Sequence, residues 1–410
     1  MKHILCLILI FSIIPCGWTK GSADSSAGGV QDDGRESCEA AVKNWPMMTE
    51  EAWRSISVEK LKLYLARCDV NARDEGERTA LMHAAKHVHP EVLKILLDAG
   101  AEVNARDHAG FTALIYAGIH TASQDNLKVL IKAGADVNAR TNKGVTALMG
   151  AAYNNINLMV LLTLLKAGAD VNAVDNHEMT ALMYVDYSRN NLLVLISLLN
   201  AGADVNAGDD KGMTALMRAA LHSTSTEVLK TLIHADAEID ARDNYGGTAL
   251  IYAAEENSNP EILSTLLEAG AEVDARDSKG ITALMSAAKY NSNPEVAEIL
   301  LDAGADVNVR DVDDATALIS AAFANSSLEV LKTLLDAGAE VDARWYNGTT
   351  ALMFAARNNT NPKILLALLD AGANVDLRND DGDTAWDFIQ NNPALKGTEA
   401  YRELSDSRSR

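Results

Sequence analysis

His83 and His87 stand four residues apart in a segment with helical patterning, a spacing at which two imidazoles can grip one metal ion. His89 follows, and His120 lies 33 residues beyond His87. No cysteine or carboxylate completes the set, so polar surface side chains at variable positions are the simpler reading of these histidines. Metal binding or sequestration by them is kept as the alternative function, and no cofactor is expected. The groups Asp311/Asp313/Asp314 and Asp380/Asp381/Asp383 lack the spacing of a calcium loop and read as solvated acids. The four cysteines are Cys6, Cys16, Cys38 and Cys68. If the N-terminal leader is removed, Cys38 and Cys68 remain as a pair. A disulfide between them would close a loop of about 30 residues and contribute ~3 kcal/mol in the chain-entropy model, the other reading being two thiols. No nucleophile elbow, phosphate-binding glycine loop, zinc-protease helix or pair of catalytic carboxylates occurs, and an enzyme is not expected.

The elements that carry these residues are copies of one stretch, clearest from Asp277 to Arg310. Its threonine marks the register at Thr79, Thr112, Thr146, Thr180, Thr214, Thr248, Thr282, Thr316, Thr350 and Thr384, with a first step of 33 residues and later steps of 34. Counted by these threonines, the first repeat opens at Thr79 and the tenth at Thr384. A fixed period in this range marks a stacked solenoid, because one repeat cannot bury its apolar face alone. Thr282 can cap a first helix, whose narrow apolar face is Leu284, Ala287 and Ala288. Asn293 and Pro294 start a second helix, with Val296, Ile299, Leu300 and Ala303 on one face. Gly304 ends it; the equivalent position holds glycine in the other full repeats except at Asp236. Ala305 to Arg310 and the following turn make an extended finger, numbered here by the repeat it leads into.

Helix, turn, helix, then Ala-Gly-Ala-Asp-Val-Asn and a Gly-x-Thr-Ala-Leu restart resembles the ankyrin repeat over roughly residues 57 to 390. The resemblance implies an all-α ankyrin-repeat solenoid with short β-turn or hairpin fingers, and protein–protein interaction without catalysis. Three departures stand out: alanine replaces the proline after the threonine, methionine or isoleucine usually replaces the histidine two further on, and one residue is added between the helices. The 34-residue period and the closing Asn392 to Tyr401 segment resemble bacterial members of the family.

Residues 1–23 read as a signal peptide: Lys2 and His3 precede an apolar run from Ile4 to Ile14, too short to span a bilayer. Export to the periplasm or secretion follows as the expectation, with a lipid anchor at Cys16 as the alternative that Pro15 disfavours. Residues 24–45 read as a flexible linker, 46–78 as an N-terminal capping half-repeat, 79–378 as tandem repeats, 379–404 as a C-terminal capping repeat and 405–410 as a frayed tail. The repeats should stack into a body on the order of 100 Å long, and a monomer is expected. The net charge of −21 argues against nucleic acid as a partner.

Aromatic residues are placed selectively. Stepping about 100° per residue from the core leucine of a first helix, positions two, five and six residues on fall opposite the alanines. They hold Tyr116, Tyr153, Tyr184, Tyr187, Tyr252, Tyr290, Phe323 and Phe354. Phe111, Tyr245, Trp345 and Tyr346 lie in the turn just before the helix. These twelve residues are the candidate partner-binding surface, a concave groove, since such side chains bury much area at low entropic cost. The competing reading is a tyrosine leaning on the next repeat to support the stack. The fourth repeat departs from the pattern, with Glu178 for the turn glycine and Val185-Asp186 for the two alanines. Asp186 falls on the core-facing side, which implies a local kink, or a buried pair with Arg189 or a neighbouring polar group.

Overall fold

The computed structural model describes residues 53, 55–86, 90–120, 123–154, 157–189 and 191–407. The chain divides into two compact units, residues 1–43 and 44–410, and all described residues belong to the second. The signal-peptide reading, Cys16, Cys38, His87 and His89 lie outside the described residues, and so does the proposed Cys38–Cys68 bond.

Twenty α-helices and no sheet make up the described residues. First helices run Ala80–Lys86, Ala113–His120, Ala147–Asn154, Ala215–His222, Ala249–Glu256, Ala283–Tyr290, Ala317–Ala324 and Ala351–Asn358. Second helices run Pro90–Asp98, Gln124–Lys132, Leu158–Lys166, Leu192–Asn200, Thr226–His234, Glu261–Glu268, Pro294–Asp302, Leu328–Asp336 and Pro362–Asp370. Val58–Leu65 precedes them, and Ala385–Ile389 and Glu399–Ser407 follow. The last helix reaches three residues into the segment expected to fray. Leu404 is fully buried there, and the Ser407 hydroxyl donates to the Glu403 carbonyl at 2.8 Å, closing the final turn.

Local chemistry sets the helix ends. The Thr282 hydroxyl accepts from the Met285 amide at 3.3 Å, and Thr316 accepts from Ile319 in the same way. Asn293 caps the second helix by accepting from the Glu295 amide at 3.2 Å, with Pro294 in the first turn. Gly304 closes it at φ 94°, and Asp236 takes the same left-handed conformation at φ 64°.

Each first helix packs on the first helix of the next repeat, and each second helix on the next second helix; the fourth repeat alone lacks a first helix to do so. Small side chains permit the close approach: a Cβ added at Gly150 would run into the Ile119 side chain. The buried face of the helix Pro294–Asp302 is Val296, Ala297 and Leu300, whereas Ile299 is half-buried and Ala303 exposed. The wheel is therefore turned by one position from the expected stripe, because the second helix must face both its own first helix and the next repeat.

The fourth repeat is kinked. Residues 181–184 form turns, and a short 3₁₀ helix, Tyr187–Arg189, replaces the regular first helix. The buried Tyr187 hydroxyl donates to the Leu182 carbonyl at 2.8 Å, occupying an acceptor that a continuing helix would use. Asp186 is half-buried, pairs at 2.9 Å with Arg189 and accepts from the Ser188 hydroxyl, so the kink and a pair occur together, but the arginine side of the pair is exposed rather than buried.

Polar ladders run from repeat to repeat. The residue added between the helices allows a buried asparagine there: Asn325 Nδ2 donates to the Ala288 and Asn291 carbonyls at 3.0 and 2.8 Å, while Asn325 Oδ1 accepts from the Ser327 amide. Asn257, Asn291, Asn359 and Asn392 repeat the arrangement. After the second helices, Asn308 donates to the Gly338 carbonyl and accepts from the Glu340 amide. The fingers are turns rather than hairpins, with isolated bridges at Arg73–Thr79, Gly208–Thr214 and Arg344–Thr350.

Candidate protein-binding face

The finger positions the aromatic side chains, and it does so through one residue. Five residues before the threonine stands an aspartate in most repeats. Asp243 Oδ1 accepts from the Tyr245 and Gly247 amides at 2.9 and 2.7 Å, which folds the turn and leaves Oδ2 free to face the following helix. Tyr252, nine residues on, donates its hydroxyl to that oxygen. The same clamp joins Asp107 to Tyr116 and Asp175 to Tyr184, both at 2.7 Å, Asp209 to Arg218, and Asp74 to His83 at 3.0 Å. Burial, together with the neighbouring carboxylate, pushes the Tyr116, Tyr184 and Tyr252 hydroxyls far above the ordinary phenol value. Burial works against the charge of Asp74, but hydrogen bonds from His83 and the Arg78 amide and the Arg78 guanidinium outweigh it, holding the carboxyl at about 2.

This clamp corrects part of the expected open face. Tyr184 and Tyr187 are 1% and 3% exposed, and Phe354 is 6% exposed. The side opposite the alanines does not look wholly to solvent, because each finger folds back across its own first helix. Tyr116, Tyr153, Tyr252, Phe111 and Trp345 are half-buried. Tyr245, Tyr290, Phe323 and Tyr346 stand open at 59%, 56%, 44% and 61% exposure.

In the ninth repeat the clamp changes chemistry. Trp345 occupies the aspartate position and Phe354 that of its partner, so a ring pair with centroids 5.4 Å apart replaces the carboxylate bond. Further rings continue outward. Tyr346 packs edge-on to Trp345 at 4.2 Å, and Phe323 of the eighth repeat meets Phe354 at 5.3 Å in a T-shaped pair. Lys289 then holds its ammonium 4.9 Å from the Tyr290 ring and 6.0 Å from Phe323. The structure thus gathers Tyr290, Phe323, Trp345, Tyr346 and Phe354 into one strip across three repeats. Phe111, Tyr116 and His120 form a smaller stack in the second repeat, with spacings of 5.1 and 6.2 Å. Tyr245 joins neither group among the described ring contacts. Lys289, and Val312 at 68% exposure on the neighbouring eighth finger, carry no pattern that marks them in the sequence. The swap of Trp345 and Phe354 for an acid and its partner was the available signal.

His83 is committed elsewhere: besides Asp74, it stacks on Trp53 at 5.9 Å with near-parallel rings. Among the described residues, no three of His, Cys, Asp and Glu come together as a metal ion would require. Among them, too, no helix is long and apolar enough to cross a membrane.

A family model described as ankyrin repeats (3 copies) matches this chain in overlapping windows, residues 52–141, 119–207, 148–243, 185–277, 216–311, 260–345 and 284–379. No curated protein matches it.

Proposed function

This chain belongs to the ankyrin-repeat family, and from that premise we propose that it is an exported, non-enzymatic scaffold holding a protein partner on the first-helix and finger face of its seventh to ninth repeats. Ankyrin repeats are generally protein–protein interaction scaffolds. The observation that carries the choice of surface is the aromatic strip, where three rings stay open to solvent although the repeat pattern asks for none of them. Aromatic side chains held rigidly by their neighbours are the usual anchors of an interface. The acidic chain disfavours a nucleic-acid partner.

Affinity capture with the chain as bait, followed by mass spectrometry, supplies the partner. Tyr290→Ala, Phe323→Ala and Tyr346→Ala should each weaken its binding by about 1–3 kcal/mol with little change in the melting curve. Phe354→Ala is a poorer probe, since its buried ring also supports the stack. Glu298→Ala, on the exposed side of a second helix, should leave binding unchanged; a loss there in place of the aromatic effects would move the interface to the other face.

A further inference from the structure

The ninth finger is aromatic, and both of its neighbours are acidic. Trp345 and Tyr346 lie between Asp313 and Asp314 of the eighth finger and Asp380 and Asp381 of the tenth. Backbone hydrogen bonds fix the three tips side by side: the Tyr346 amide donates to the Asp313 carbonyl at 2.9 Å, and the Asp380 amide to the Asn347 carbonyl at 3.0 Å. All four carboxylates are exposed, and none joins an ion pair among the described residues. Rings in this part of the stack already take cations from within the chain. Lys289 sits over Tyr290, and the Arg357 guanidinium lies 5.5 Å from the Phe388 ring.

We propose that the eighth, ninth and tenth fingertips dock a basic, extended segment of a protein partner, a conclusion that rests on the aromatic strip being the binding face. Its lysine or arginine heads pair with Asp313, Asp314, Asp380 and Asp381, and their stems and aliphatic neighbours lie along Val312 and Tyr346. Ring and carboxylate attract a cation at the same place because they share one row, so the two effects reinforce each other. Arginine suits the row better than lysine, since its planar head stacks on a ring while its N–H groups reach a carboxylate. An acidic segment would meet four like charges at the row and a chain of net charge −21 around it.

The test is selection of twelve-residue peptides displayed on phage against the full chain, followed by affinity measurement with the selected peptides. Expected are sequences in which arginine or lysine alternates with aliphatic residues. Binding should fall about tenfold or more with Tyr346→Ala, and again with Asp313→Asn, Asp314→Asn, Asp380→Asn and Asp381→Asn combined. A matched variant carrying Asp98→Asn, Asp302→Asn, Asp336→Asn and Asp370→Asn, at exposed second-helix ends, changes the net charge equally and should have little effect. Replacing the basic residues of the peptide by glutamine should abolish binding, which makes the same point without altering the chain. Equal losses from the two quadruple variants would reveal long-range attraction only and overturn the proposal. Neutral or acidic peptides that respond to Tyr346→Ala but not to the fingertip Asp→Asn changes would overturn the basic partner and leave the aromatic face standing. Peptides indifferent to Tyr346→Ala, or no selected peptides at all, would overturn both.

Discussion

At the scale of single residues, the choice between asparagine and aspartate after each second helix decides how well neighbouring repeats are tied. Asn71, Asn138 and Asn308 each donate to a carbonyl 29 or 30 residues on and accept an amide 31 or 32 residues on. Asp240, Asp274 and Asp342 keep only the second bond, at 2.9–3.2 Å, because a carboxylate has no N–H to offer. Asp240→Asn, Asp274→Asn and Asp342→Asn should therefore each raise stability by about 0.5–1 kcal/mol, through a new bond to the carbonyl of Gly270, Gly304 or Gly372. Urea unfolding of the single variants checks this; an unchanged or lowered midpoint would show that the added donor bond contributes nothing at an exposed site. Asp and Asn look interchangeable in the sequence at this place. Only the neighbouring repeat reveals the missing donor.

At the scale of the element, the ladder makes use of the length of the repeat. The added residue gives the connection between helices room for an asparagine that bonds two carbonyls of the preceding repeat and folds its own loop. Asn325→Ala would leave those groups without their buried partner and should cost on the order of 1–3 kcal/mol. Hydrogen exchange should accelerate mainly in the seventh and eighth repeats, since contacts in a stack run between nearest neighbours. Equal acceleration throughout the stack would contradict that picture. The helices themselves were legible beforehand, because Thr282, Asn293-Pro294 and Gly304 act within a turn of their own position. The binding face was only partly legible. Tyr290 and Phe323 are open as the helical wheel implies and Tyr346 is open in its turn, whereas Tyr184 is drawn beneath its finger by Asp175. A period of 3.6 residues cannot see a bond nine residues back across a turn. Tyr187 escaped the wheel for another reason: the helix assumed for it does not form.

For the described stack as a whole, rigidity and recognition occupy different places. Asparagine ladders tie the connections, and arginines tie the fingers, as Arg73 does by donating to the Arg106 carbonyl at 2.8 Å and Arg310 to that of Arg344 at 3.3 Å. Tip-to-tip backbone bonds then hold the aromatic ninth finger against both neighbours. Such a surface loses little freedom on binding, so its open rings can contribute most of their burial to affinity. Recognition by this chain depends on the location of that surface. Hydrogen–deuterium exchange of the full chain with and without its captured partner tests it directly. Protection should concentrate on the eighth to tenth fingers and the helices Ala283–Tyr290, Ala317–Ala324 and Ala351–Asn358. Protection confined to second helices such as Pro294–Asp302 and Leu328–Asp336, with Tyr290, Phe323 and Tyr346 exchanging as in the free chain, would contradict it.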